Sequence, residues 1–217
     1  MDVTVARVGI RRVGPTHEER RADVVAVEEP LEIRLGGQPF VVVMRTPGAD
    51  RELATGFLLA EGILHRADEI ASMRHCAVPP HDGPDGQSGD SSAGDGPDRP
   101  LASGPQDGAG HVLTVWLHGE AAVRAAAAVA GRRHVVASAS CGVCGRQQID
   151  DLVRQVGRVD APMRIARAVL STLPETLRGA QRAFAATGGL HAAGLFDAAG
   201  RLDLSAEDVG RHNAVDK

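Results

Sequence analysis

Leu31-Glu32-Ile33-Arg34-Leu35 alternates apolar and polar residues without a break, the two-residue period of a strand with one buried face. Gly36-Gly37-Gln38 and then Phe40–Met44 follow, so this stretch predicts a hairpin. Val3–Ile10 and Asp23–Val27 also read as strands, the second running into acidic residues and Pro30. After Arg45-Thr46-Pro47-Gly48 the period changes. Leu53, Phe57 and Ala60 share a helical face, Asp50 stands where an N-cap belongs, and Gly62 stands where the helix stops. Ile70–Val78, which holds Cys76, and Val112–Leu117 return to the strand pattern.

From Glu120 the pattern is that of an α/β chain. Ala121–Ala130 is rich in a strong helix former and is followed by Gly131. Arg133–Ser138 reads as a short strand. Ile149, Leu152, Val153 and Val156 recur at helical spacing up to Gly157. Asp160 and Pro162 mark the next helix start, with Ala166, Val169, Leu170 and Leu173 on one face and Pro174 as a break. A further helix carries Leu177, Ala180 and Phe184 towards Gly188-Gly189. Leu190–Asp197, a turn at Ala198–Arg201 and Leu202–Ser205 form a second hairpin. The fold class is therefore mixed, α/β or α+β. Residues 1–119 make a β-rich part with one helix at about 50–62, and residues 120–217 make an α/β part.

Composition alters this picture at one place. The segment 79–110 holds six Asp, one Arg, eight Gly and six Pro with almost nothing apolar, so it cannot offset its ordering entropy by burial. It reads as a disordered surface insert between two neighbouring strands. The formal charge of −4 arises there, because residues 131–217 carry 12 basic and 9 acidic groups, a net of +3. That excess suits an anionic ligand and is too small to indicate nucleic-acid binding. No apolar run reaches membrane-spanning length, and Met1-Asp2-Val3-Thr4 lacks the start of a signal peptide. Three cysteines, two of them in a close pair, make a poor disulfide framework, so the expected setting is a reducing cytoplasm.

Three polar clusters carry chemistry. Ser140-Cys141-Gly142-Val143-Cys144-Gly145 holds two of the three cysteines on a glycine-bearing turn between a strand and a helix start. Helix N-terminal amides, with Arg146 nearby, favour a thiolate there. Thr187-Gly188-Gly189-Leu190-His191-Ala192-Ala193 surrounds one imidazole with small residues. Glu207-Asp208-Val209-Gly210-Arg211-His212-Asn213-Ala214-Val215-Asp216-Lys217 packs carboxylates, an Arg, a His, an Asn and a Lys into one run able to bind a phosphate or carboxylate. Each has a plainer reading: half of a zinc site completed by Cys76 or a histidine, a hydrogen-bonded core histidine, and a solvated helix face. A thioredoxin-like thiol pair is a further alternative. Zinc-dependent deamination needs a glutamate two residues after the histidine and before the cysteine pair. Here the order is reversed and Ala193 takes the glutamate's place.

Taken with Glu52-Leu-Ala-Thr-Gly-Phe-Leu-Leu-Ala-Glu-Gly62, the three clusters resemble, in order, the formate dehydrogenase accessory sulfurtransferase (FdhD) family. The resemblance implies a small β-rich part joined to a larger α/β part similar to cytidine deaminases, in a homodimer. It implies an enzyme that takes sulfur from a cysteine desulfurase as a persulfide and passes it to the molybdenum cofactor, the bis-molybdopterin guanine dinucleotide form, for formate dehydrogenase. No catalytic metal of its own, membrane or nucleic acid is implied. Cys141 matches the persulfide-carrying cysteine and Cys144 its partner. Gly188, Gly189, His191, Asp208, Gly210, Arg211, His212, Asn213 and Lys217 are the candidates for contact with the cofactor. The family extends beyond the position of Lys217, so part of the guanine-nucleotide pocket is expected outside this sequence.

Overall fold

The computed structural model describes residues 3–76, 110–131 and 163–217. The cysteine turn, the 133–138 strand, the 149–156 helix and nearly all of the 79–110 insert lie outside the described residues.

The alternating Leu31–Leu35 stretch is the middle of a four-stranded sheet. Strands β3 (Glu29–Leu35) and β4 (Gln38–Arg45) form the expected hairpin, with Gly36 and Gly37 at φ 56° and 86°. Both values lie in the left-handed region that glycine enters without a Cβ clash. On its other edge β3 pairs in parallel with β6 (Val112–Leu117), and β6 pairs antiparallel with β5 (Ile70–Cys76). The order is β4-β3-β6-β5. Residues 77–110 thus connect two neighbouring strands. The parallel pair is not visible in the periodicity, because it depends on a crossover through a helix and β5.

One face of this sheet builds the core. Leu31, Ile33, Leu35, Leu113 and Val115 are buried, and Leu53, Ala54 and Leu58 of helix α1 (Asp50–Ala60) pack with them. Helix α2 (Gly119–Gly131) lays Ala121 and Ala125 on the same core. Arg124 fastens it to the 63–69 loop, donating from Nε to the Ile63 carbonyl at 2.9 Å and from Nη2 to Glu69 Oε1 at 2.6 Å.

Two smaller sheets complete the described chain. Strands β1 (Val5–Val13) and β2 (Glu18–Ala26) form a hairpin of their own. Strand β2 begins at Glu18, five residues before the point expected from apolar content. Its charged start is held by the register against β1 and by Arg11 to Glu18 at 3.3 Å. Strands β7 (His191–Phe196) and β8 (Leu202–Asp208) form the predicted second hairpin. Helix α3 (Arg167–Ala180) covers one face of it and runs straight through Pro174, where a break is expected. Val169, Leu173 and Leu177 continue one apolar face across the proline, close over Gly194 and Gly200. The carbonyl that Pro174 leaves without a donor belongs to Leu170, an exposed residue that water can reach. The break comes instead at Gln181, before helix α4 (Arg182–Thr187).

Candidate functional site

The run from Glu207 to Lys217 folds as the end of β8, a turn at Gly210 and the short helix α5 (Arg211–Asp216). Asp208 is its centre and is fully buried. Its Oδ1 accepts from Gly210 N at 2.8 Å and from Asn213 Nδ2 at 2.9 Å. Its Oδ2 accepts from Thr46 N at 3.0 Å and lies 2.8 Å from Lys217 Nζ. Lys217 Nζ also donates to the Thr46 carbonyl at 2.8 Å, and Asn213 Nδ2 to the Met44 carbonyl at 2.8 Å. Thr46 returns a contact, its Oγ1 accepting from Val209 N at 3.1 Å. A buried carboxylate needs this many donors to stay charged away from water. The four-stranded sheet and the β7–β8 hairpin are thereby tied together at the end of β4.

Gly210 belongs to this clasp for steric reasons. A Cβ there would lie 2.9 Å from Asn213 Nδ2, closer than real Cβ atoms approach. Glu207, one residue before Asp208, faces the other way. Its carboxylate accepts from Ala183 N at 3.0 Å and Phe184 N at 2.7 Å, capping α4 from another element. Helix α5 then lies against α1 at Gly56, where a Cβ would sit 2.6 Å from the carbonyl carbon of Asp216. Two of the sequence motifs, Glu52–Gly62 and Glu207–Lys217, are thus one packed unit. Burial, with the charge of Glu61 as the second cause, pushes the Asp216 carboxyl up to about 6.

Just before this unit, Arg45 is fully buried and forks onto Asp50 through Nε to Oδ1 at 2.8 Å and Nη2 to Oδ2 at 3.0 Å. Its Nη1 reaches Glu29 at 3.3 Å. Asp50 is therefore the first residue of α1 and a buried ion-pair partner. The N-cap position expected for it belongs to Ala49, in the left-handed region at φ 53°.

The remaining candidates lie around the clasp. Gly188 ends α4 at φ 68°, donating its N–H to the Phe184 carbonyl at 2.7 Å, and Gly189 N donates to Thr187 Oγ1 at 3.2 Å. These two glycines reverse the chain into β7. His191 opens β7, is exposed, and stands opposite Asp208 in the strand register. Arg211 is exposed at the start of α5. His212 is half-buried, and its Nδ1 is buried without a hydrogen bond among the described residues. Asp208, Gly210, Asn213 and Lys217 therefore converge on one another, whereas His191 and Arg211 face outward. Cys141 and Cys144 lie outside the described residues. Thr46 and Arg45 are absent from the residues expected at the site, and Gly56 enters the sequence reading only as part of the Glu52–Gly62 motif. Their signal is confined to the Arg-Thr-Pro-Gly turn and to a glycine inside a helical stripe. Among the described residues no three His, Cys, Asp or Glu side chains gather as for a metal ion.

Residues 26–217 match the model of the FdhD/NarQ family. The chain is 43% identical over 215 residues to a sulfur carrier protein FdhD of Nocardia farcinica, covering 98% of this chain and 66% of that one. It is 42% identical over 206 residues to a sulfur carrier protein FdhD of Mycolicibacterium paratuberculosis, covering 91% of this chain and 64% of that one. A solved structure from Desulfotalea psychrophila, assigned as a formate dehydrogenase accessory protein, superposes with a TM-score of 0.63 at 19% identity. It covers 98% of this chain and 66% of the other. The chain spans just under two-thirds of the length of these curated relatives. A family match over residues 26–217, together with relatives above 40% identity, places this chain in the FdhD/NarQ family.

Proposed function

We propose that this chain is a sulfur carrier and transferase serving formate dehydrogenase, with Cys141 as the atom that holds the sulfur. The observation that carries the reading is 43% identity across nearly the whole chain to a protein named as a sulfur carrier. The Ser140–Gly145 motif adds two thiols, Cys141 and Cys144, each followed in sequence by a glycine, Gly142 and Gly145. In the proposed reaction the Cys141 thiolate attacks the terminal sulfur of a persulfide held by a cysteine desulfurase. A new S–S bond forms at Cys141, and the desulfurase cysteine leaves as a thiolate. The cargo then passes to the molybdenum of the bis-molybdopterin guanine dinucleotide cofactor, which is the substrate. Releasing the sulfur as sulfide takes two electrons. The Cys144 thiol can supply them by closing a disulfide with Cys141, which a dithiol later reopens.

The Asp208 clasp supports this reading indirectly. It holds much of the Glu207–Lys217 motif together, and leaves Gly188, Gly189, His191 and Arg211 as the exposed candidates. The test is to incubate the protein with a cysteine desulfurase and cysteine and to measure intact mass. A one-sulfur adduct on Cys141, absent from Cys141→Ala, is expected. Restoration of formate dehydrogenase activity by Cys141→Ala in cells lacking the native factor would show the reading to be wrong.

A further inference from the structure

We propose that one face of the β1–β2 hairpin is a docking surface, and that its occupant is the chain's own acidic insert, residues 79–110. The unbroken register of the hairpin assigns each residue to a face. One face carries Arg7, Arg11 and Arg20 against Glu18, a net of +2. The other carries Arg12 and Arg21 against Glu19 and Asp23, a net of zero. Glu18 pairs with Arg11 at 3.3 Å, whereas Arg7 and Arg20 make no hydrogen bond or ion pair among the described residues. Arg20 also stands directly opposite Arg11, a like-charge pairing that costs stability unless an anion lies over it. Between these arginines the floor is Gly9 opposite Ala22, both exposed, and a Cβ on Gly9 would meet nothing within 4 Å. An open strip with a small-residue floor and uncommitted guanidinium groups fits an extended acidic segment.

Residues 79–110 supply that chemistry, with six Asp against one Arg. Both ends of this segment are fixed beside the root of the hairpin. Cys76 pairs with Val112, and Val112 with Glu32. The His111 carbonyl accepts from Glu32 N at 2.7 Å, and its Nδ1 lies 3.1 Å from the Pro30 carbonyl oxygen. Strand β2 ends just before this point, at Ala26, where Val27 N donates to the Thr4 carbonyl at 2.9 Å and closes the root. Arg20 is ten residues from Pro30, so it lies within about 35 Å of it whichever way the hairpin leans. Asp98, Asp95 and Asp90 are 13, 16 and 21 residues from His111, and each can span that distance. An exposed arginine–carboxylate pair is weak alone, but carboxylates on a short tether meet the arginines at a millimolar effective concentration. The contact is independent of sulfur carriage by Cys141.

The experiment is amide NMR of the 15N-labelled full chain at low salt and at about 0.5 M sodium chloride, where surface charges are screened. It compares the wild type with Arg7→Gln/Arg11→Gln/Arg20→Gln, with Arg12→Gln/Arg21→Gln on the opposite face, and with Asp90→Asn/Asp95→Asn/Asp98→Asn. In the wild type the amide signals of the insert are expected to shift between the two salts. The three-arginine variant should lose most of that shift, and the opposite-face variant should keep it. Neutralising the three aspartates should move the amides of Gly9 and Ala22, and poly-aspartate added to the wild type should release the insert's signals. The aspartate variant leaves the hairpin sequence intact, so it decides the matter even where the arginine variant loses the hairpin. Four results would each overturn the contact. The first is an insert indifferent to the three arginines, and the second is an equal loss in the opposite-face variant. The third is a shift that fades on dilution, which would put a second copy's insert on this face. The fourth is a response of Gly9 and Ala22 to poly-aspartate but not to the aspartate changes, which would make the face a site for another protein's acidic segment.

Discussion

Lys217 Nζ lies 2.8 Å from Asp208 Oδ2, and both side chains are almost completely withdrawn from water. Each neutralises a charge that the interior would otherwise penalise, so the pair fails as a unit. Asp208→Asn leaves the ammonium buried and unpaired, and Lys217→Met does the same to the carboxylate. Each single change is expected to cost about 3–5 kcal/mol, the usual effect of breaking a buried pair from one side. The double variant is expected to lose clearly less than the sum of the two, which urea unfolding of all four proteins measures. Additive losses would mean that the contact carries no coupling.

Gly56 answers to backbone rather than to charge. A methyl group there meets the Asp216 carbonyl carbon at 2.6 Å and its Cα at 2.7 Å, and backbone cannot rotate away as a side chain can. Gly56→Ala is therefore expected to destabilise by at least about 1–3 kcal/mol through overpacking. Gly179→Ala, in α3 with nothing within 4 Å, is expected to gain about 0.5–1 kcal/mol from helix propensity. Thermal unfolding of the two variants should thus move in opposite directions. A neutral Gly56→Ala would mean that α1 and α5 can separate without loss.

These residues show what the sequence discloses and what it hides. The Leu31–Leu35 alternation and the Gly36-Gly37 turn are local signals, and the hairpin they predict is present. The parallel pairing of β3 with β6 and the contact of Thr46 with Asp208, 162 positions away, are set by how elements meet in space. Asp50 matches the residue type of an N-cap, and only the folded chain shows that its carboxylate is taken by Arg45. The same holds at Glu207–Lys217. A dense polar run suggests ligand binding, but distances are needed to see that Asp208, Asn213 and Lys217 largely satisfy one another. Pro174 is the converse case, where a local breaker is overridden by an apolar face with a sheet to cover.

Arg45 makes its contacts through a shape that lysine lacks. Two parallel bonds to Asp50, itself buried, and a third to the partly exposed Glu29 use three nitrogens of one planar, fully buried group. Arg45→Lys keeps the charge but can fill only part of that geometry, leaving at least one carboxylate oxygen without its donor. The expected cost is about 1–3 kcal/mol, that of an unsatisfied buried group. Asp50→Asn is expected to cost at least as much, because it leaves the guanidinium charged and buried. Chemical denaturation decides this, and an Arg45→Lys protein as stable as the parent would show that charge alone is required.

Asp216 gives the structure a pH dependence of definite sign. Burial first, and the charge of Glu61 second, lift its carboxyl from the usual 3.8 to about 6 in the folded chain. Between those two values the folded protein binds a proton that the unfolded chain does not. The contribution from protonated Asp216 is therefore complete below about pH 3.8 and is lost as the pH rises through about 6. Above that, an ionised, half-buried carboxylate strains the α1–α5 contact. Because the group is partly exposed, screening reduces the effect to about 1 kcal/mol. Asp216→Asn should stabilise the protein by that amount near pH 7.5 and lose the advantage below pH 4. Other carboxylates titrate in the same range, so the quantity to follow is the stability of Asp216→Asn minus that of the wild type at each pH. A difference that stays flat from pH 4 to 7.5, or one that shrinks as the pH rises, would show that Asp216 is not held in this way.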